Sequence, residues 1–367
     1  MSDNLKRYRA IMNSLKQMYP QQLTGRQMQH MHVLAALING IVGSQKSQLR
    51  AIASKMPEAT QRQSRIMRLS RWLKNKAVSP ENYFAPFAEA LLISLAQQPL
   101  VLVIDGSTLG RGCMCLMVSV VYKKRALPLG WIVFKGSKGH CSETRHLEAL
   151  QQVKTLIPPG AEVVILGDGE FDGGDWLNTL AEYGWQYVCR TAKNALLFED
   201  GVAFSFAEWG VCPGDCLSVP DIQFTQQSYG PMMAIAWWQA SYAEPLFLLT
   251  NLELAEEACA YYRQRFLIET FFSDQKSRGF NLHKSHLSDP KRLARLLIAA
   301  CLAYIWMIYL GQIALRPFWR KRIHRTDRCD LSLFQLGLAL LDELFNDNQP
   351  IPVAFQPHWE PKLNCVG

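Results

Sequence analysis

Between Pro99 and Ala192 the chain alternates apolar runs with amphipathic segments in a single order. LVLVID (100–105), CMCLMVSVVY (113–122) and ALPLGWIVFKG (126–136) come first. ETRHLEALQQVKTLI (143–157), AEVVILGD (161–168), DWLNTLAEYG (175–184) and WQYVCRTA (185–192) follow. Runs this short and apolar, punctuated by Gly and Lys turns, read as strands, and the amphipathic stretches between them read as helices. The order is therefore strand, strand, strand, helix, strand, helix, strand. A meander followed by two strand-helix units can bury its apolar runs only in a mixed sheet with helices on its faces.

That order predicts an α/β fold with a ribonuclease-H-like core. Residues 195–245 are short, aromatic and turn-rich, and read as a β-rich insertion, after which PLFLLTNL returns as a strand. The first 96 residues read as helices. Gly43 is expected to break one of them, Ser47 to cap QLRAIASKM, Pro57 to stop it, and a second helix to start near Thr60. Two short helices with Arg62, Arg65 and Arg68 spaced by three on the second resemble a helix-turn-helix whose arginines reach DNA phosphates or guanine edges. Residues 1–97 carry 14 Lys and Arg against 4 Asp and Glu, a net +10, which leaves −2 on the rest. A basic amino-terminal module on a near-neutral body points to an anionic polymer at that end. The expected organisation is a helical DNA-binding domain at 1–96, a catalytic domain at 97–345 and an irregular tail at 346–367.

Ten cysteines lie scattered in a chain of 367 residues, and MSDNLKRYRA lacks the apolar core of a signal peptide, so reduced thiols in the cytoplasm are expected. Cys212 and Cys216 have no second pair to complete a zinc site, and Cys113 and Cys115 read as core residues. Leu296–Leu315 holds no charged residue and is of membrane-spanning length. Arginines bracket it and catalytic-looking segments surround it, so it reads as a buried helix, and no membrane partner is expected. A basic run from Arg316 to Arg328 and the apolar helix LSLFQLGLALLDELF follow, the latter either a dimer surface or packed in cis.

The chemistry lies in three acids. Asp105 and Asp168 each end an apolar run, and carboxylates at strand ends lie at a sheet rim, where ligand sites form. Glu170 and Asp172 are rivals for the second position but lie deeper in the loop. In AYYRQRFLIETFFSDQKSRGF, read as one helix, Tyr262, Arg265, Glu269 and Lys276 fall within about 60° of one another. That stripe carries a carboxylate for a divalent metal, with cations and a hydroxyl for phosphate oxygens. Three carboxylates make an all-oxygen set that prefers Mg²⁺ or Mn²⁺. Lys123, Lys124, Lys135 and Lys138 are candidates to line a DNA channel, or are turn charges. His283 and His286 read as loop residues, and His140 and His146 have no partner pattern.

The D…D…E layout with Y-x2-R-x3-E-x6-K resembles the insertion-sequence-four family of DDE transposases over roughly residues 100–310. Ile104-Asp105-Gly106-Ser107-Thr108 is similar to that family's first-aspartate motif, and Asp168-Gly169-Glu170-Phe171 to its second, with Gly169 where a basic residue often stands. The resemblance implies cut-and-paste transposition of double-stranded DNA. Asp105, Asp168 and Glu269 would hold two Mg²⁺ or Mn²⁺ ions, and Tyr262, Arg265 and Lys276 would grip phosphates. It also implies a hairpin intermediate, with Trp237 or Trp238 stacking on a flipped base, and a homodimer on DNA. The alternatives are another ribonuclease-H-like nuclease and a domesticated DNA-binding protein without catalysis.

Overall fold

A computed structural model describes residues 1–19, 23–136, 141–325 and 330–356; Lys138 and His140 lie outside them. Six helices come first: α1 (Asp3–Gln17), α2 (Gly25–Ser44), α3 (Leu49–Ser54), α4 (Arg62–Lys74), α5 (Pro80–Tyr83) and α6 (Ala85–Leu95). The meander then follows as β1 (Leu100–Thr108), β2 (Cys113–Tyr122) and β3 (Arg125–Lys135). Next come α7 (Glu143–Lys154), β4 (Val163–Gly167), α8 (Gly174–Glu182) and β5 (Gln186–Arg190). The turn-rich region folds as β6 (Leu196–Glu199), β7 (Val202–Ser205), β8 (Cys216–Phe224) and β9 (Tyr229–Trp237), before β10 (Leu246–Thr250). The chain closes with α9 (Ala255–Tyr262), α10 (Leu267–Gln275), α11 (Pro290–Ala314), α12 (Pro317–Ile323) and α13 (Leu333–Asn346).

All ten strands join one mixed sheet in the order β3-β2-β1-β4-β5-β10-β9-β8-β6-β7. β2 lies antiparallel to β1 and β3, whereas β4 lies parallel to β1 and β5. A three-stranded meander followed by two parallel strands is the ribonuclease-H-like arrangement that the sequence predicts. β4 is buried along its whole length, as a strand covered on both faces must be. The β-rich insertion continues this sheet through β10 rather than forming a layer of its own. Cys216 on β8 meets Cys259 on α9 at 3.8 Å between sulfurs, and Cys113 and Cys115 are buried.

α11 is long and apolar enough to cross a membrane, yet 89% of its most apolar stretch is buried within the protein. It packs against β3, α2, α4 and α13, so the chain itself covers the surface that lipid would otherwise cover. The apolar helix of the sequence, α13, is thus packed in cis on α11, with Phe334, Leu336, Leu340, Leu341 and Leu344 buried. The amino-terminal helices share one continuous apolar core with the sheet.

Four local expectations are corrected. α2 runs through Gly43 to Ser44 and stops where Gln45 turns left-handed at φ 50°. Ser47 does not cap α3; its hydroxyl donates to the Phe280 carbonyl at 2.8 Å, and Gln48 stands at the cap. β1 continues three residues past Asp105 to Thr108. The signature stretch is two helices, because α9 ends at Tyr262 and α10 starts at Leu267.

The α11–α13 contact is close enough to depend on Gly337, where an added Cβ would lie 1.9 Å from the Met307 carbonyl oxygen. Backbone cannot yield as a flexible side chain does. Gly337→Ala is therefore expected to destabilise by about 1–3 kcal/mol, even though alanine favours a helix by about 1 kcal/mol over glycine. Chemical denaturation checks this, and an unchanged or higher midpoint would show the contact to be looser than described.

Candidate active site

β1 and β4 set the geometry. Their parallel register pairs Leu100 with Val163 and proceeds in step to Val103 with Leu166. Continued two residues, it places Asp105 on β1 level with Asp168 just past the end of β4. Asp168 is the first residue after β4, where its Oδ1 accepts the Glu170 amide at 3.1 Å and its carbonyl accepts the Phe171 amide at 3.0 Å. This turn folds Phe171 back into the core, where it is fully buried. It needs a glycine at 167, because a Cβ there would lie 2.6 Å from Phe171 Cβ. Of the rivals for the second acid, Asp172 accepts from the Thr191 hydroxyl at 2.7 Å and so ties the loop to the sheet.

The third acid arrives from the break between α9 and α10. Through residues 264–269 the amides of Gln264, Arg265, Leu267, Ile268 and Glu269 bond three residues back, which tightens the winding. Arg265 in this turn faces the two strands. Its guanidinium lies 4.0 Å from Asp105 Oδ2 and 4.0 Å from Asp168 Oδ2, and donates to Glu269 Oε1 at 2.9 Å. The first two separations are too long for hydrogen bonds, so the aspartates feel the charge without being tied to it. Glu269 lies in the first turn of α10, where the helix dipole favours an acid.

Burial, reinforced by Asp168, pushes the Asp105 carboxyl up to about 6, against the opposing pull of Arg265. Burial works against the Arg265 charge too, yet Tyr262, Asp105, Asp168 and Glu269 together raise its pKa. Tyr262 is itself buried, which holds its phenol above the ordinary range. Lys276 caps α10 and donates to the Ser107 hydroxyl at 2.6 Å. Ser107 lies two residues after Asp105 and so on the same face of β1. The sequence reading gives Ser107 no role, although that two-residue spacing is the signal that could have found it.

Among the described residues no three His, Cys, Asp or Glu side chains stand close enough together to hold a metal ion. The donors nevertheless suit a hard divalent cation. All are carboxylate oxygens, and one guanidinium against three carboxylates leaves a formal −2 within the ion-paired set. Asp105, Asp168 and Glu269 are the residues that would hold such an ion.

The remaining candidates are spread around this centre. Trp237 is only 5% exposed, lies beneath the Arg263 guanidinium and meets the Tyr242 ring edge on, whereas Trp238 is half-buried. On α4, Arg65 donates to the Met56 carbonyl at 3.2 Å, Arg68 pairs with Glu58, and Arg62 reaches the Arg50 carbonyl at 3.5 Å. Lys123 and Lys124 form the β2–β3 turn, at the opposite end of the sheet from Asp105. Lys135 pairs with Cys113, at the same end of the sheet as Asp105. His286 lies beside Gln48, and His146 packs on Phe171.

The raised Asp105 carboxyl makes stability depend on pH. Its folded-state pKa of about 6 exceeds the ordinary 3.8, so the native state favours the protonated acid. That contribution is complete below pH about 4 and is lost as pH rises through about 6. In metal-free buffer, Asp105→Asn is therefore expected to gain thermal stability relative to the native chain between those values and keep the gain at pH 7. Parallel melting profiles for the two proteins would contradict the cause assigned to the shift.

A cryo-EM structure of piggyBac transposase, a synaptic complex with hairpin DNA, is similar at 12% identity and a TM-score of 0.46. That likeness covers 93% of this chain and 77% of the other, and it is too distant to bear on the site. No curated protein matches the chain. Residues 96–306 match the family model described as a transposase DDE domain, a span that runs from the residues before β1 into α11 and contains all three acids. This chain belongs to the DDE-domain transposase family.

Proposed function

We propose that the protein is a cut-and-paste DNA transposase of the insertion-sequence-four type. The observation that carries this reading is the convergence of Asp105, Asp168 and Glu269, from three separate elements, around one guanidinium. In this reading the three carboxylates hold two Mg²⁺ or Mn²⁺ ions at the scissile phosphodiester. When bound, such ions lower the pKa of the attacking water or 3′-hydroxyl and neutralise charge on the leaving oxygen.

The chain's own residues do the rest. Arg265 is placed to exchange its contact with Glu269 for a phosphate oxygen, to which a guanidinium binds in a two-pronged fashion. Lys276, held on Ser107, keeps a second cation on the strand that carries Asp105. Tyr262 extends the same grip. Hydrolysis frees a 3′-hydroxyl at the transposon end, and this hydroxyl attacks the opposite strand to form a hairpin, which is reopened before the end joins target DNA. Trp238 is better exposed than Trp237 to stack on a base displaced at the hairpin. Stacking of this kind contributes about 1–3 kcal/mol per base. The protein acts on double-stranded DNA in the cytoplasm as a homodimer, each active site cutting the end held by its partner.

Incubating the purified protein with a labelled terminal inverted repeat and Mg²⁺ should yield nicks, hairpins and joined products. Asp105→Asn, Asp168→Asn and Glu269→Gln are each expected to lower cleavage by at least about 10³-fold, the scale of losing one transition-state contact, with end binding retained. Cleavage at the native rate by any one of them removes that residue from the site. Cleavage without joining would indicate a nuclease instead.

A further inference from the structure

α11 ties together two ends of the molecule. At its start, the Leu287 carbonyl accepts the Arg111 amide at 2.8 Å and the Ser288 carbonyl accepts from the Cys113 thiol, both just beyond the strand that carries Asp105. At its other end Gln312 accepts from Lys123 in the β2–β3 turn. With 25 residues, α11 spans roughly 37 Å. The segment it delivers to that far end is unusual. Phe318, on a helix with no buried residue, is 63% exposed, and Leu315, which caps α11 just before it, is 39% exposed. Arg316, Arg320 and Lys321 surround them, and none of these three has an ion-pair partner among the described residues. Arg322 alone is neutralised, by Glu343 and Asp347. The sequence Arg316–Arg325 contains no acid.

We propose that α12 is a second DNA contact, in which Phe318 wedges into a base step of a duplex whose phosphates are neutralised by Arg316, Arg320 and Lys321. The inference rests on the transposase reading and adds a surface to it. Exposed aromatic wedges flanked by cations are a means of kinking duplex DNA from the minor groove. Charge disfavours one rival occupant and the small apolar area disfavours the other. A second copy docked by two-fold symmetry would bring this basic patch against the same basic patch. A seven-residue helix with a single strongly exposed aromatic offers an anionic membrane too little apolar surface to hold it.

The test uses the full-length protein, native and as two variants, Arg316→Gln with Lys321→Gln, and Phe318→Ala. The probe is a mixed-sequence duplex of about 50 base pairs, roughly five turns, with 2-aminopurine placed along it. The double variant should bind with a salt slope smaller by about 1.8, the loss of two phosphate contacts. Phe318→Ala should weaken binding roughly tenfold and abolish any position-specific rise in 2-aminopurine fluorescence. Both should cut ends too short to reach α12 at the native rate. Native slope and affinity in both variants would overturn the proposal. So would intact DNA binding coupled to lost self-association, or to lost binding of phosphatidylglycerol vesicles. If the native protein cuts nothing while the variants still lose duplex binding, the transposase reading fails and this contact stands.

Discussion

Like charges held close together must be compensated, and in this protein the compensation is Arg265. Asp105 and Asp168 are brought level by the parallel pairing of the apolar first half of β1 with β4, an arrangement fixed by the core rather than by the acids themselves. Glu269 joins them only because the chain tightens between α9 and α10 and turns one guanidinium toward both strands. The balance is incomplete, since the Asp105 carboxyl remains raised to about 6 by burial and by Asp168. A site that folds with excess negative charge is one that a hard cation relieves. Arg265 thus compensates a charge that, in the proposed reaction, a metal and a phosphate would share.

Much of this was legible in the residues. The strand and helix order from Leu100 to Arg190 follows from period and length, because each apolar run is short, β-branched and bounded by turn residues. The neighbouring of β1 and β4 makes the two aspartates adjacent without any further information. The break at 263–266 was not legible, as Arg263-Gln264-Arg265-Phe266 contains neither glycine nor proline. Local propensity there favours a continuous helix, and what overrides it is tertiary: Arg265 has to face Asp105 and Asp168. The angular stripe drawn through a straight helix therefore rests on a geometry the chain does not adopt. Ser47 shows the same limit, since a residue suited to a cap is taken by the Phe280 carbonyl, 233 positions away.

That contact also bears on how the two halves communicate. Ser47 bonds Phe280, and Asn281 donates to the Gln45 carbonyl at 3.2 Å, so the α2–α3 turn is fastened to the chain a few residues beyond Lys276. The amino-terminal helices share the core of the sheet and α11. DNA held on the basic helices would accordingly meet a surface rigidly indexed to the carboxylates. Several arginines there are already engaged with carbonyls or with Glu58, so in the proposed function the excess of charge over 1–97, rather than any single arginine, would attract a polyanion.

The proposed catalysis depends on Asp105, Asp168 and Glu269 acting as one cation-binding set. Mn²⁺ titration followed by electron paramagnetic resonance, on the native protein and on Asp168→Asn, tests this without reference to activity. The native protein should bind Mn²⁺ saturably, and the variant should lose that binding or weaken it by at least about tenfold. Equal binding by the two proteins would contradict it.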